Sequence, residues 1–307
     1  MPVNCKLSVL ESSGSARCSG RRIGGARCAL VLLNYAAQLL GAVWYRFLAP
    51  QATTVPAAVT WLLSFLPLYG VAFPVYCTLL QRIPRVRPPH RRVGAAWLAG
   101  TACIAVALLY AGALAGNGVN ALIGLLRGRP ADNGLDSLRS SVPLWQIIVF
   151  PCLLAPIGEE LIFNLLLERA LPFGEKQAIL FCALAFGAFH GNLYQFFYAF
   201  LVRLVLANLY LRSGRLAWCM ALHALLNLLG SLPGVLVLPL GEKAIAAYGA
   251  ALLLVIITGI VLLVRRWDKK PRPAASQPQT KTAWLFASPG TLAAFGLCLV
   301  MTVLALQ

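Results

Sequence analysis

The sequence predicts an all-α protein, a polytopic transmembrane bundle of about eight to nine helices, and three observations predict it. Of the 307 residues, 60% are hydrophobic and only 11% are charged, too little polar surface to cover a soluble globule of that size. Apolar runs of membrane-crossing length recur, a bilayer core of about 30 Å taking about 20 helical residues to span. The basic residues collect between those runs instead of lying along amphipathic faces.

Residues 1–27 read as a basic cytoplasmic segment holding Lys6, Arg17, Arg21, Arg22 and Arg27. It has no short apolar stretch followed by a small-residue cleavage site, so no cleavable signal peptide is expected. A group of N-terminal transmembrane helices over 28–141 takes in spans 28–48, 55–80 and 93–115, with Arg82, Arg85, Arg87, Arg91 and Arg92 after the second. Segment 142–240, the expected catalytic core, contains spans 142–170, 177–191, 193–211 and 216–237; Arg169 and Lys176 follow the first of these, and Arg212 and Arg215 the third. Segment 241–307 adds spans 244–264 and 282–306, joined by a basic, Pro-rich linker at 265–281. These basic loops alternate. The positive-inside rule then gives a cytoplasmic N-terminus and, for nine spans, an external C-terminus. A bacterial plasma membrane with anionic headgroups is the expected setting.

The formal charge of +17 does not indicate nucleic acid, because no aromatic-laced basic patch accompanies it. Nine cysteines are scattered without CxxC or paired Cys/His spacing and read as small apolar fillers. No internal repeat is visible, stretch 128–141 reads as a loosely ordered outer loop, and nothing in the sequence sets an oligomeric state.

The chain has nine acids, and only Glu159 and Glu160 are read as lying well within an apolar run. His190 and His223 also fall within expected spans. Ionisable groups at membrane depth are costly and face a protein interior or a water cavity. From about 1.5 Å rise per residue, Glu159 lies roughly 18 Å from the cytoplasmic end of its helix, His190 about 20 Å, His223 about 12 Å and Asn227 about 18 Å. One buried layer can hold all four. Phe186 and His190, and likewise His223 and Asn227, are spaced to share a helix face. Glu159 and Glu160 diverge by about 100°; Glu160 shares a face with Asn164 and so reads as the structural member. Pro151 and Pro156 should bend this helix beside Glu159. As chemistry, Glu159 would take a proton from water, His190 would hold or polarise that water directly or through a metal, and His223 with Asn227 would donate to a developing oxyanion. A single intramembrane His or Asn more often bonds two helices together; the depth-matched set favours hydrolysis.

The ordered motifs EELIFN (159–164), FGAFH (186–190) and HALLN (223–227), with the text between the last two, resemble the CPBP family of intramembrane proteases, whose pattern is EExxxR, FxxxH and HxxxN or HxxxD. The resemblance covers roughly 151–229. It implies an intramembrane endopeptidase with Glu159, His190, His223 and Asn227 as its active-site set, acting on a membrane-associated protein or peptide. A divalent metal such as zinc, with His190 and His223 as candidate ligands, is implied by the family's common label, although two histidines without HExxH make an unusual zinc site. The family arginine is Asn164 here, while Arg203 stands inside an apolar run. Either Arg203 supplies from a neighbouring helix the charge missing at 164, or it snorkels to the cytoplasm. Two competing functions are a non-catalytic membrane protein of the same fold, giving peptide immunity or serving as a scaffold, and a proton-coupled transporter. The second lacks inverted, interrupted helix pairs.

Overall fold

The computed structural model describes residues 13–52, 55–129, 142–267 and 282–306, which are helical with short connections and contain no strand. The helices are α1 (Ser13–Leu48), α2 (Ala57–Leu80), α3 (Ala95–Arg127), α4 (Leu144–Phe173), α5 (Glu175–Phe189), α6 (Leu193–Ser213), α7 (Leu216–Ser231), α8 (Glu242–Trp267) and α9 (Pro289–Leu304). The linker 269–281, nearly all of the loop 128–141 and the first twelve residues of the basic segment lie outside the described residues.

A multi-pass helical membrane protein fits this architecture. Among the described residues six helices are long and apolar enough to cross a bilayer, or seven if α7 and the following Pro233–Leu240, bent by 44°, count as one span. The nine spans expected from hydropathy exceed this count among the described residues. Expected span 177–191 is a helix of 15 residues and 282–306 contains one of 16. At about 1.5 Å per residue each is some 22–24 Å long, short of a core of about 30 Å. Without those two crossings the external C-terminus no longer follows.

The chain divides into two compact units. The first collects described residues from 1–86, 165–181 and 278–304. Here α1 begins at Ser13, well before the expected Cys28, because its basic first half is packed. Arg27 is buried with its guanidinium 3.8 Å from the Phe295 ring centroid and 5.5 Å from that of Phe181, and Arg17 lies 4.8 Å over Trp284. Aromatic faces attract such cations. At the far end of α4, Glu168 is buried and pairs with Arg85, its carbonyl accepts from Val86 N–H at 3.0 Å, and Arg169 Nε donates to Leu80 O at 2.9 Å.

The second unit, from 87–164, 182–277 and 305–307, holds every residue of the candidate site. Its spine is α3 packed on α6 and α8. Gly112 permits the first contact: a Cβ there would collide with the backbone of Tyr198. Close approach through small residues is how membrane helices gain contact where water does not drive association. The same face carries buried Gly116, Asn120 and Gly124 on to Arg127, so α3 runs three turns past the expected end at Ala115. α7 packs on α6 and on the first half of α4.

Candidate active site

The site begins with a defect in α4. Residues Ile148–Leu154 form a π-helical turn, in which the N–H of Ala155 bonds five residues back to Phe150 O. Such bulges concentrate at functional positions. In that register the carbonyl of Pro151 should pair with residue 156, which is a proline and has no N–H. The amide of Asn227 on α7 reaches it instead, Nδ2 donating to Pro151 O at 2.7 Å. After the kink, α4 resumes with Glu159 and Glu160.

Glu160 is fully buried. Its Oε2 accepts from Arg203 Nη1 at 2.9 Å and from Asn164 Nδ2 at 2.7 Å. Asn164 Oδ1 in turn accepts from Arg203 Nη2 at 3.0 Å, closing a three-membered ring of hydrogen bonds. Arg203 has no solvent exposure and lies within 5.9 Å of the Phe163 ring. A desolvated guanidinium fork suits this planar pairing, and of the two sequence expectations for Arg203 the geometry excludes snorkelling.

The other oxygen of Glu160, Oε1, lies 3.0 Å from His223 Nδ1. An ionised carboxylate only accepts, so Nδ1 carries the hydrogen. Across the ring, His223 Nε2 stands 3.6 Å from Glu159 Oε2. The two glutamates do diverge, and one imidazole spans the gap between them with a different nitrogen toward each. The Glu159 side chain retains 16% exposure against 0% for Glu160, so of the pair Glu159 is the one not sealed inside the protein.

His190 follows the last residue of α5. Its Nδ1 is 2.8 Å from Phe186 O, and because a carbonyl only accepts, Nδ1 is again the donor and Nε2 bears the lone pair. The ring of Phe186 stands between the histidines, 4.9 Å from His190 and 5.7 Å from His223 between centroids, edge-on to both. The corner is fixed by Gly191, at φ 62°, and by Asn192. Asn192 caps α6 by accepting from Gln195 N–H at 2.9 Å and donates to His190 O at 3.0 Å. Asn192 was not singled out in the sequence, though Asn followed three residues later by Gln ahead of an apolar run is a helix-start signature.

The structure thus joins Glu159, Glu160, Asn164, Arg203 and His223 directly, brings His190 to them through Phe186, and ties Asn227 to backbone. Among the described residues no three His, Cys, Asp or Glu side chains gather closely enough to hold a metal ion. Nδ1 of each histidine is committed to an acceptor and Nε2 is left free, the state in which an imidazole can ligate a metal, while the ring of Phe186 stands between the two imidazoles.

Fold and site together define a polytopic helical membrane protein with a buried carboxylate–imidazole centre beside a proline kink. Residues 141–229, under a third of the chain, match the family described as Type II CAAX prenyl endopeptidase Rce1-like, and the match supports the resemblance of this segment to the CPBP intramembrane proteases. No curated protein and no solved structure matches the chain.

Proposed function

We propose that the chain hydrolyses a peptide bond of a membrane-associated protein or peptide with water activated by Glu159. The observation that carries this reading is the placement of Glu159 Oε2, partly exposed, 3.6 Å from a His223 whose opposite nitrogen is held by a second carboxylate. Water in that gap loses a proton to Glu159 as its oxygen attacks the scissile carbonyl. His190, with its lone pair on Nε2, accepts from the same water and orients it. His223, its ring oriented through Nδ1 by Glu160, turns Nε2 toward the developing oxyanion. The proton taken up by Glu159 then passes to the leaving amine as the C–N bond breaks, giving one carboxylate and one amine product. No step is routed through a metal.

Arg203 supplies from α6 the positive charge that Asn164 does not carry, and holds Glu160 so that its other oxygen orients the His223 ring through Nδ1. The geometry of Arg203 on both Glu160 and Asn164 supports this role. Exchange tests it: if Asn164→Arg with Arg203→Gly cleaves and folds no better than Arg203→Gly alone, Arg203 has another task. A prenylated tail ending in Cys-aliphatic-aliphatic-X is the substrate class that the family description suggests.

The deciding experiment incubates detergent-purified protein with such a prenylated peptide and with an unprenylated peptide library, with and without chelator. Cleavage that disappears in a folded Glu159→Gln variant and survives chelation supports the reading. Equal turnover by Glu159→Gln removes it and leaves a non-catalytic bundle of the same fold.

A further inference from the structure

We infer that Asn227 is a positioning residue: its amide stands in for the N–H that Pro156 lacks and holds the kink of α4, and with it the Glu159 carboxylate, against His223. The kinetic half of this inference rests on the proposed hydrolysis; the structural half stands by itself.

In the π-helical turn the bond from Ala155 N–H to Phe150 O sets a five-residue register. The next rung would run from residue 156 to Pro151 O, and a proline nitrogen has no hydrogen to give. A carbonyl without a partner at membrane depth is costly. The Asn227 Nδ2 fills that rung from outside, at 2.7 Å. One turn earlier on the same face of α7, His223 touches both glutamates. α7 therefore grips α4 at two levels, before the kink and after it. Between the grips lie Pro156 and Gly158, which resist bending poorly. The gap from Glu159 to His223 Nε2 is the dimension that a slackened kink would alter. One N–H of the Asn227 amide is thus engaged by backbone, in a bond that ties α7 to the kink.

Asn227→Ala, Pro156→Ala and the double variant are purified in detergent and compared by melting temperature, by kcat and KM on an internally quenched farnesylated peptide ending in Cys-aliphatic-aliphatic-X, and by pH–rate profile. Asn227→Ala is expected to melt a few degrees lower and to lose kcat roughly 10- to 100-fold, with KM little changed and the pH–rate profile displaced. The double variant, which regains a backbone donor at 156, is expected to recover melting temperature, kcat and profile to the level of Pro156→Ala. Recovery of melting temperature without kcat would make the amide a participant in the chemistry and overturn the inference. A double variant no more stable than Asn227→Ala would overturn it too. Should Asn227→Ala not fold, restored folding in the double variant supports the inference and continued failure refutes it. If the native protein leaves the probe uncut, the hydrolytic reading has lost its support while thermal rescue still decides the role of Asn227.

Discussion

Glu160 and Glu168 both project from α4, both are buried and both are met by an arginine, yet they end in different company. Glu168 pairs with Arg85, whose side chain is 35% exposed on the connection after α2, and its own backbone carbonyl binds that connection through Val86. Glu160 pairs with Arg203, which has no exposure at all, and gives its remaining oxygen to an imidazole facing another carboxylate. An arginine–glutamate pair in a membrane helix is therefore no mark of a site. What separates the two is the titratable chain leading on from the carboxylate, through His223, to the partly exposed Glu159.

That contrast can be broken or sharpened by substitution. The largest effect belongs to Glu159→Gln, which keeps the shape of the kink but removes the base: kcat should fall roughly 10²–10⁴-fold with the melting temperature unchanged. Arg203→Leu comes next, leaving Glu160 buried and unpaired at about 3–5 kcal/mol, measurable as loss of folded protein in detergent. Replacing both partners, Glu160→Leu with Arg203→Leu, should return stability to within about 1–4 kcal/mol of native or above it, while activity stays low because His223 has lost the group that holds Nδ1–H. If that double variant cleaves at the native rate, the distinction drawn between the two pairs is wrong. The smallest effect is expected of Arg85→Gln: about 1 kcal/mol for so exposed an arginine, and no change in kcat.

Much of this was legible in the sequence. Composition and recurring apolar runs gave the helical membrane bundle. Matched depth put Glu159, His190, His223 and Asn227 in one layer, of which the structure sets Glu159 beside His223, reaches His190 through Phe186 and ties Asn227 to backbone, and a cation inside an apolar run singled out Arg203. Hydropathy misjudged the extent of elements where packing overrides polarity. It started α1 at Cys28 because it counts Arg27 as polar, whereas the phenyl rings around that guanidinium make it core. It ended α3 among Gly116, Asn117 and Gly118, although that stretch stays helical against α6. It also read 177–191 as a crossing because apolar residues run up to His190, where the Gly191–Asn192 corner ends the helix. The bond from Asn227 to Pro151 was hidden for another reason. It depends on a five-residue register, and neither proline alone announces that register.

The pairing of Glu160 with Arg203 also bears on biosynthesis. Placed alone at mid-membrane, an acidic or a basic side chain opposes insertion by about 2.5–3.5 kcal/mol, and α4 carries two such acids while α6 carries the complementary guanidinium. Neither segment is a comfortable passenger by itself. The Arg203–Glu160 pair offsets that cost only when both segments are in the membrane, so the insertion energies of α4 and α6 are coupled.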